Sequence, residues 1–204
     1  MMMYDELKNK LFIKVRNIDA NEQSLTDVPY KVIEDLVITY HIKGDDGSES
    51  IVSNGDMKSY GITLEQLHND ATVSGAKLMP ARVMNLDHMM EEVFHKSTND
   101  SDTGLIVVST EVLKDGAAAL FYPDMMKFLA YALGDGYYVV PSSVHEVLIA
   151  SDNDYDARRL MMVHKSVMPM VSEKDYLSDK IYRYDAQKKA LTIACENSLD
   201  GFLA

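Results

Sequence analysis

Residues 36–42 (Leu-Val-Ile-Thr-Tyr-His-Ile) are rich in β-branched and aromatic side chains and predict a strand. Gly44-Asp45-Asp46-Gly47 then supplies turn chemistry, and residues 49–53 return, so the pattern is a hairpin. Upstream, residues 10–16 read as a short strand or a helix end, and the polar stretch 17–27 as a loop closed by Pro29. Thr63 followed by Gln66 is a capping-box spacing, and Ile62 and Leu67 hold the two positions of a hydrophobic staple, so a helix is expected over 63–78. After Asn85, Leu86, Met89, Met90, Val93 and Phe94 fall at i, i+3, i+4, i+7 and i+8 and predict a second helix with one apolar face.

The second half of the chain is more regular. Leu105–Ser109 reads as a strand, Asp115-Gly116 as a turn and Ala117–Tyr122 as the returning strand. Pro123 opens a helix whose stripe is Met125, Phe128, Leu129, Ala132 and Leu133, with Gly134 ending it. Tyr137–Val140 and Val144–Ala150 read as strands about a corner at Pro141-Ser142-Ser143. Residues 152–167 predict a helix facing inward through Leu160, Val163, His164 and Val167, and Pro169 forbids its continuation. Ile181–Tyr184 and Leu191–Ala194 form a last hairpin. These elements predict the α+β class: an antiparallel or mixed sheet containing a ββαββ unit, with helices packed mainly on one face. Residues 1–204 are expected to form a single α+β domain, with a weak seam at the polar stretch 97–103.

Composition narrows the function classes. The chain has 20 basic and 32 acidic side chains, a net charge of −12, spread as 10 basic against 17 acidic over residues 1–100 and 10 against 15 over the rest. No basic stripe is present to meet a phosphate backbone, so nucleic acid is not an expected partner. No apolar run reaches the roughly 20 residues that span a bilayer, and no membrane association is expected. The charged start lacks the apolar stretch of a secretion signal, and the single Cys195 suits a reducing cytoplasm. One cysteine also excludes an internal disulfide or a cysteine-based metal cage. Fourteen methionines without tryptophan point to an adaptable core.

The common catalytic signatures are incomplete. Gly134-Asp135-Gly136 lacks the third glycine of a dinucleotide loop and follows a helix, and His145-Glu146 meets Ile149 where a zincin needs its second histidine. No cofactor is therefore expected. Asp152, Asp154 and Asp156 alternate like the opening of a calcium loop, yet Ala157 and Val163 stand at its glycine and closing-acid positions. They are weak metal candidates set against a helix-capping reading. The densest polar patch is Ser142, Ser143, His145 and Glu146. On a strand, Ser143 and His145 would share a face, and a nucleophile–base pair there would need an acid from elsewhere to orient the ring.

Several segments carry a resemblance. They are Asp27-Val28-Pro29-Tyr30 with the strand at 36–42, Tyr60-Gly61-Ile62-Thr63, Leu78-Met79-Pro80-Ala81 and Leu177-Ser178-Asp179. The most specific are Gly116-Ala117-Ala118-Ala119-Leu120-Phe121-Tyr122-Pro123 and Val140-Pro141-Ser142-Ser143-Val144-His145-Glu146-Val147-Leu148-Ile149. Over about residues 5–194 the chain resembles an uncharacterised domain-of-unknown-function family of anaerobic gut bacteria. The resemblance implies a bacterial cytoplasmic protein, an N-terminally shorter member or a fragment, and it implies no activity. The expected function is a non-catalytic binding or regulatory module contacting another protein. The alternatives are a hydrolase or transferase centred on Ser143 and His145, and an oligomerisation or structural protein.

Overall fold

The computed structural model describes residues 4–95, 103–134 and 136–196. A short helix α1 (Tyr4–Leu7) leads into β1 (Leu11–Asn17), and a 3-10 turn over Asp19–Leu25 occupies the segment read as loop. β2 (Tyr30–Ile33), β3 (Leu36–Lys43) and β4 (Glu49–Ile51) follow. β3 is the centre of this sheet: β1 pairs along one side, and β2 and β4 take successive stretches of the other, all antiparallel. The hairpin at 36–53 is thus as expected. β2 escaped the sequence reading because its burial does not alternate. Tyr30, Lys31 and Val32 are all exposed.

Two helices then pack beside this sheet, α2 (Asn54–Tyr60) and α3 (Leu64–Leu78). Ser53 caps α2 by a reciprocal box with Asp56, and Gly61 ends it in the left-handed region at φ 66°. Thr63 Oγ1 accepts the Gln66 backbone N–H at 3.1 Å, as the spacing predicts, and Leu67 and Ala71 are fully buried. β5 (Ala81–Asn85) precedes α4 (Leu86–Phe94), which Asn85 caps. The proposed seam at 97–103 lies outside the described residues except for Thr103.

The second sheet is six-stranded and antiparallel. Its members are β5, β6 (Ile106–Thr110), β7 (Gly136–Ser143), β8 (Glu146–Ser151), β9 (Ile181–Asp185) and β10 (Ala190–Cys195), in the order β10-β9-β7-β8-β6-β5. The fold is α+β, but the ββαββ unit is not formed. Residues Gly116–Phe121 make a 3-10 helix where a returning strand was expected. The reason is visible in the sequence: three alanines and no β-branched residue favour helical backbone, and residues 116–120 are all buried, with no alternation of faces. α5 (Met125–Leu133) follows, and Asp124 rather than Pro123 stands at its cap. Its inward face is also rotated from expectation. Leu129 and Ala130 are buried, whereas Phe128 is 53% exposed.

β7 continues through the expected corner at 141–143 with a register irregularity between Val140 and Ser143, and the chain reverses at Val144-His145. α6 (Ala157–Val167) buries Leu160, Met161 and His164, and leaves Val163 outside. One apolar cluster joins both sheets through Ile13, Ile38, Tyr40, Val139 and Tyr182. A second cluster packs α6 on the other face of the six-stranded sheet through Leu160, Met161, Val140 and Ile181. That sheet therefore carries helical structure on both faces, not mainly on one.

Candidate functional site

The patch singled out in the sequence sits on the β7–β8 reversal. Ser142 and Ser143 are at the end of β7, both hydroxyls donate to Oε1 of Glu146 (2.8 and 2.9 Å), and Ser143 Oγ accepts the His145 backbone N–H. The structure thus brings Ser142, Ser143 and Glu146 together, while the His145 imidazole turns elsewhere because His145 occupies the turn, not a strand. Its Nδ1 accepts the Asp115 backbone N–H at 3.2 Å, and its Nε2 lies 3.2 Å from Oδ1 of Asp175. An amide on Nδ1 fixes the ring as the Nε2–H tautomer, which donates to Asp175. The Asp175 carboxyl is held below its ordinary value, first by the Ser172 hydroxyl and further by His145. An acid orients the ring, as a triad would require, but the nitrogen that should face a serine hydroxyl is held by a backbone amide.

The three alternating aspartates are used separately. Asp152 accepts two hydrogen bonds from the Arg183 guanidinium (2.6 and 3.1 Å), Asp156 caps α6 through the Arg159 backbone N–H, and Asp154 is exposed. Among the described residues no group of three or more His, Cys, Asp or Glu side chains could hold a metal ion. No described helix is long and apolar enough to cross a membrane.

Asp115 and Asp175 reach His145 from 30 positions on either side, so no local pattern reveals them. Asp115 also ties the second sheet to the first. Its carboxylate meets Arg16 at 2.6 Å and Lys14 at 3.2 Å, and Lys14 continues to Glu49 at 2.7 Å. His41 lies against this network, its ring packed on Phe12 and its Nε2 2.9 Å from Thr39 Oγ1. Burial, reinforced by Lys14 and Arg16, pushes its imidazole down to about 4, against weaker opposing pulls from Glu49 and Asp115. The folded protein therefore keeps His41 neutral where the unfolded chain, with an ordinary value of about 6.5, protonates it. Between those values the unfolded state binds the extra proton, so stability rises with pH and is lost as pH falls from about 6.5 to about 4. The contribution is at most about 3 kcal/mol. His41→Gln should flatten urea-unfolding midpoints across that window, leaving the shallower slope due to His68 and His164, which burial also lowers. Unchanged pH dependence would contradict this account.

An open depression lies between the two sheets, a groove of about 460 Å³. Its floor is apolar, from Ile38, Leu120, Phe121 and Met126 among others. Its rim is cationic: Lys31 on β2, Lys127 on α5 and Lys189 at the β9–β10 turn. Lys127 is paired with Asp124 at 2.7 Å, whereas Lys31 and Lys189 have no carboxylate partner among the described residues. His68 on α3 also lines the groove, its Nδ1 3.1 Å from the Tyr40 hydroxyl, and burial and then Lys31 lower its imidazole. This accumulation runs against the net charge of −12. The sequence held one trace of it, the pair Lys31-x-Ile33 just after Pro29, which is invisible as chemistry until the fold brings Lys189 alongside.

The model of a family of unknown function, DUF5688, matches residues 1–186. That match agrees with the resemblance to an uncharacterised domain-of-unknown-function family. No curated protein and no solved structure matches the chain.

Proposed function

The chain belongs to the DUF5688 family of unknown function, and from that premise we propose that it is a non-catalytic binding module that contacts another protein, working in the bacterial cytoplasm. The observation that carries this reading is the internal closure of the polar cluster. Both serine hydroxyls are spent on Glu146, and both ring nitrogens of His145 are spent on Asp115 and Asp175. A serine–histidine nucleophile needs an imidazole nitrogen within hydrogen-bond reach of the hydroxyl, and neither serine meets one. The groove, by contrast, offers apolar area and two lysines without a carboxylate partner among the described residues. Binding sites combine those features: apolar contact for affinity and a few charges for orientation. The lone Cys195 suits a reducing compartment.

A fluorophosphonate probe tests the non-catalytic half of the reading, because it reacts with serines activated by a base. Incubated with the intact folded protein, it should leave Ser142 and Ser143 unmodified by peptide mass mapping. Stoichiometric labelling of either serine, abolished by His145→Ala, would replace this reading with a hydrolase centred on the β7–β8 turn.

A further inference from the structure

We propose that the groove between the two sheets captures an extended acidic–apolar segment of a partner protein, which adds as a strand to the free edge of β2. This rests on the binding-module reading and supplies its partner chemistry. Four observations meet here. First, β2 is an edge: among the described residues it pairs with β3 alone, so its outer row of backbone donors and acceptors is available to another chain. Second, Tyr30, Lys31 and Val32 are exposed, so nothing described covers that edge. Third, Lys31 and Ile33 of β2 both line the groove, and the other wall brings Lys189, the last residue of the β9–β10 turn, and Leu191 of β10. Residues two apart on a strand share a face, so an added strand with carboxylates and apolar side chains at the same period would meet like with like: acid on lysine, apolar on aliphatic. Fourth, Lys31 and Lys189 are the groove lysines without carboxylate partners among the described residues, so an acidic segment would neutralise charge that those residues leave open.

The same charges argue against a second copy as the occupant. Two chains meeting at this edge would bring their Lys31 side chains together, and lysine on an edge strand discourages self-pairing for that reason. A basic segment is excluded by the same repulsion. A small anionic amphiphile would satisfy the lysines and the apolar floor, but it would leave the β2 backbone edge unused.

The test uses the intact protein and the capped heptapeptide Glu-Thr-Val-Thr-Glu-Thr-Val, which sets acid and apolar side chains alternately along one strand face, with Lys-Thr-Val-Thr-Lys-Thr-Val and octanoate as comparisons, followed by calorimetry and amide hydrogen exchange. The expected result is saturable binding of the glutamate peptide, weakened by added salt, with slowed exchange at residues 30–33 and no binding of the lysine peptide. Lys31→Glu with Lys189→Glu should weaken it by about tenfold or more. Both side chains are exposed, so the melting temperature should hold, and Lys31→Gln with Lys189→Gln gives the same direction should reversal disturb folding. Absence of peptide binding, equal binding of the lysine peptide, or indifference to charge reversal would overturn the proposal. So would octanoate saturating the groove while the peptide leaves residues 30–33 unprotected, which would assign it to a small anion. None of these outcomes labels a serine, so a failure here is distinct from a failure of the non-catalytic reading.

Discussion

Gly116→Ala is expected to abolish cooperative folding or to destabilise the protein by more than about 4 kcal/mol, the range reserved for exceptional substitutions. Gly116 sits where the loop after β6 turns into the 3-10 helix, pressed against the β7–β8 reversal. A methyl at this position would meet the Ser109 hydroxyl, the His145 carbonyl oxygen and, at 2.7 Å, the Thr110 backbone nitrogen. Two of those three are main-chain atoms of the same sheet and cannot swing aside. The Ser109 hydroxyl is itself fixed by donating to the His145 carbonyl at 2.7 Å. Moving the loop outward would pull the Asp115 N–H from His145 and the Asp115 carboxylate from Arg16 and Lys14. The gain from a stiffer unfolded chain, about 0.4–1 kcal/mol, is too small to compensate. Gly55→Ala makes the contrast. In α2 the new methyl would meet only Ser53 Oγ at 3.5 Å, so the same substitution should stabilise by up to about 1 kcal/mol. Thermal and urea unfolding of the two variants should therefore move in opposite directions. A Gly116→Ala protein with near-normal stability would mean that the loop does not pack as described.

What could be read from the chain was what is local. The strand at 36–42, the helix start at Thr63, the helix after Asn85 and the hairpin of 181–184 with 191–194 each rest on residues within a few positions of one another, and each is present in the fold. α2 was equally legible, since Ser53 and Asp56 have capping-box spacing with aspartate in the third position, but the polar run hid it. The error at 117–121 came from letting an Asp-Gly turn outweigh three helix-favouring alanines. The spacing in α5 predicts Phe128 in the core, yet the helix buries Leu129 and Ala130 and leaves that ring half in water. The division into two sheets had no local sign. Nor did the ring contacts of His145 or the meeting of Lys31 and Lys189, because these depend on which strands become neighbours. Ser142, Ser143 and Glu146 are neighbours along the chain, but their mutual hydrogen bonds and the turning of the His145 ring toward Asp115 and Asp175 emerge only from the fold.

Asp35→Ala should cost about 3–4 kcal/mol, because one buried carboxylate fastens the first sheet to the second. Asp35 occupies the tight turn between β2 and β3 and is 8% exposed. Its Oδ1 accepts the Tyr182 hydroxyl at 2.5 Å and its Oδ2 the Ser178 hydroxyl at 2.8 Å, both from the C-terminal part of the chain. Burial, and then the bond to Asp35, push the Tyr182 phenol above its ordinary value, so it stays a donor. Ser178 and Tyr182 are fully buried, so water cannot replace the lost acceptor. Hydrogen bonds to a charged group are worth about 1.5–3 kcal/mol each, and a buried donor left unpaired costs about 1–3 kcal/mol. The total stays below their sum because the Tyr182 and Ser178 hydroxyl oxygens lie 2.8 Å apart, and without the carboxylate one can donate to the other. Asp35→Asn should fall between wild type and Asp35→Ala, since the amide keeps one acceptor oxygen but turns an N–H toward a donor. Tyr182→Phe should cost less, and the double variant should show strong coupling in a urea-unfolding cycle, because both changes remove the same bond. Additive losses would show that the carboxylate and the phenol act independently, and that this contact does not fasten the sheets.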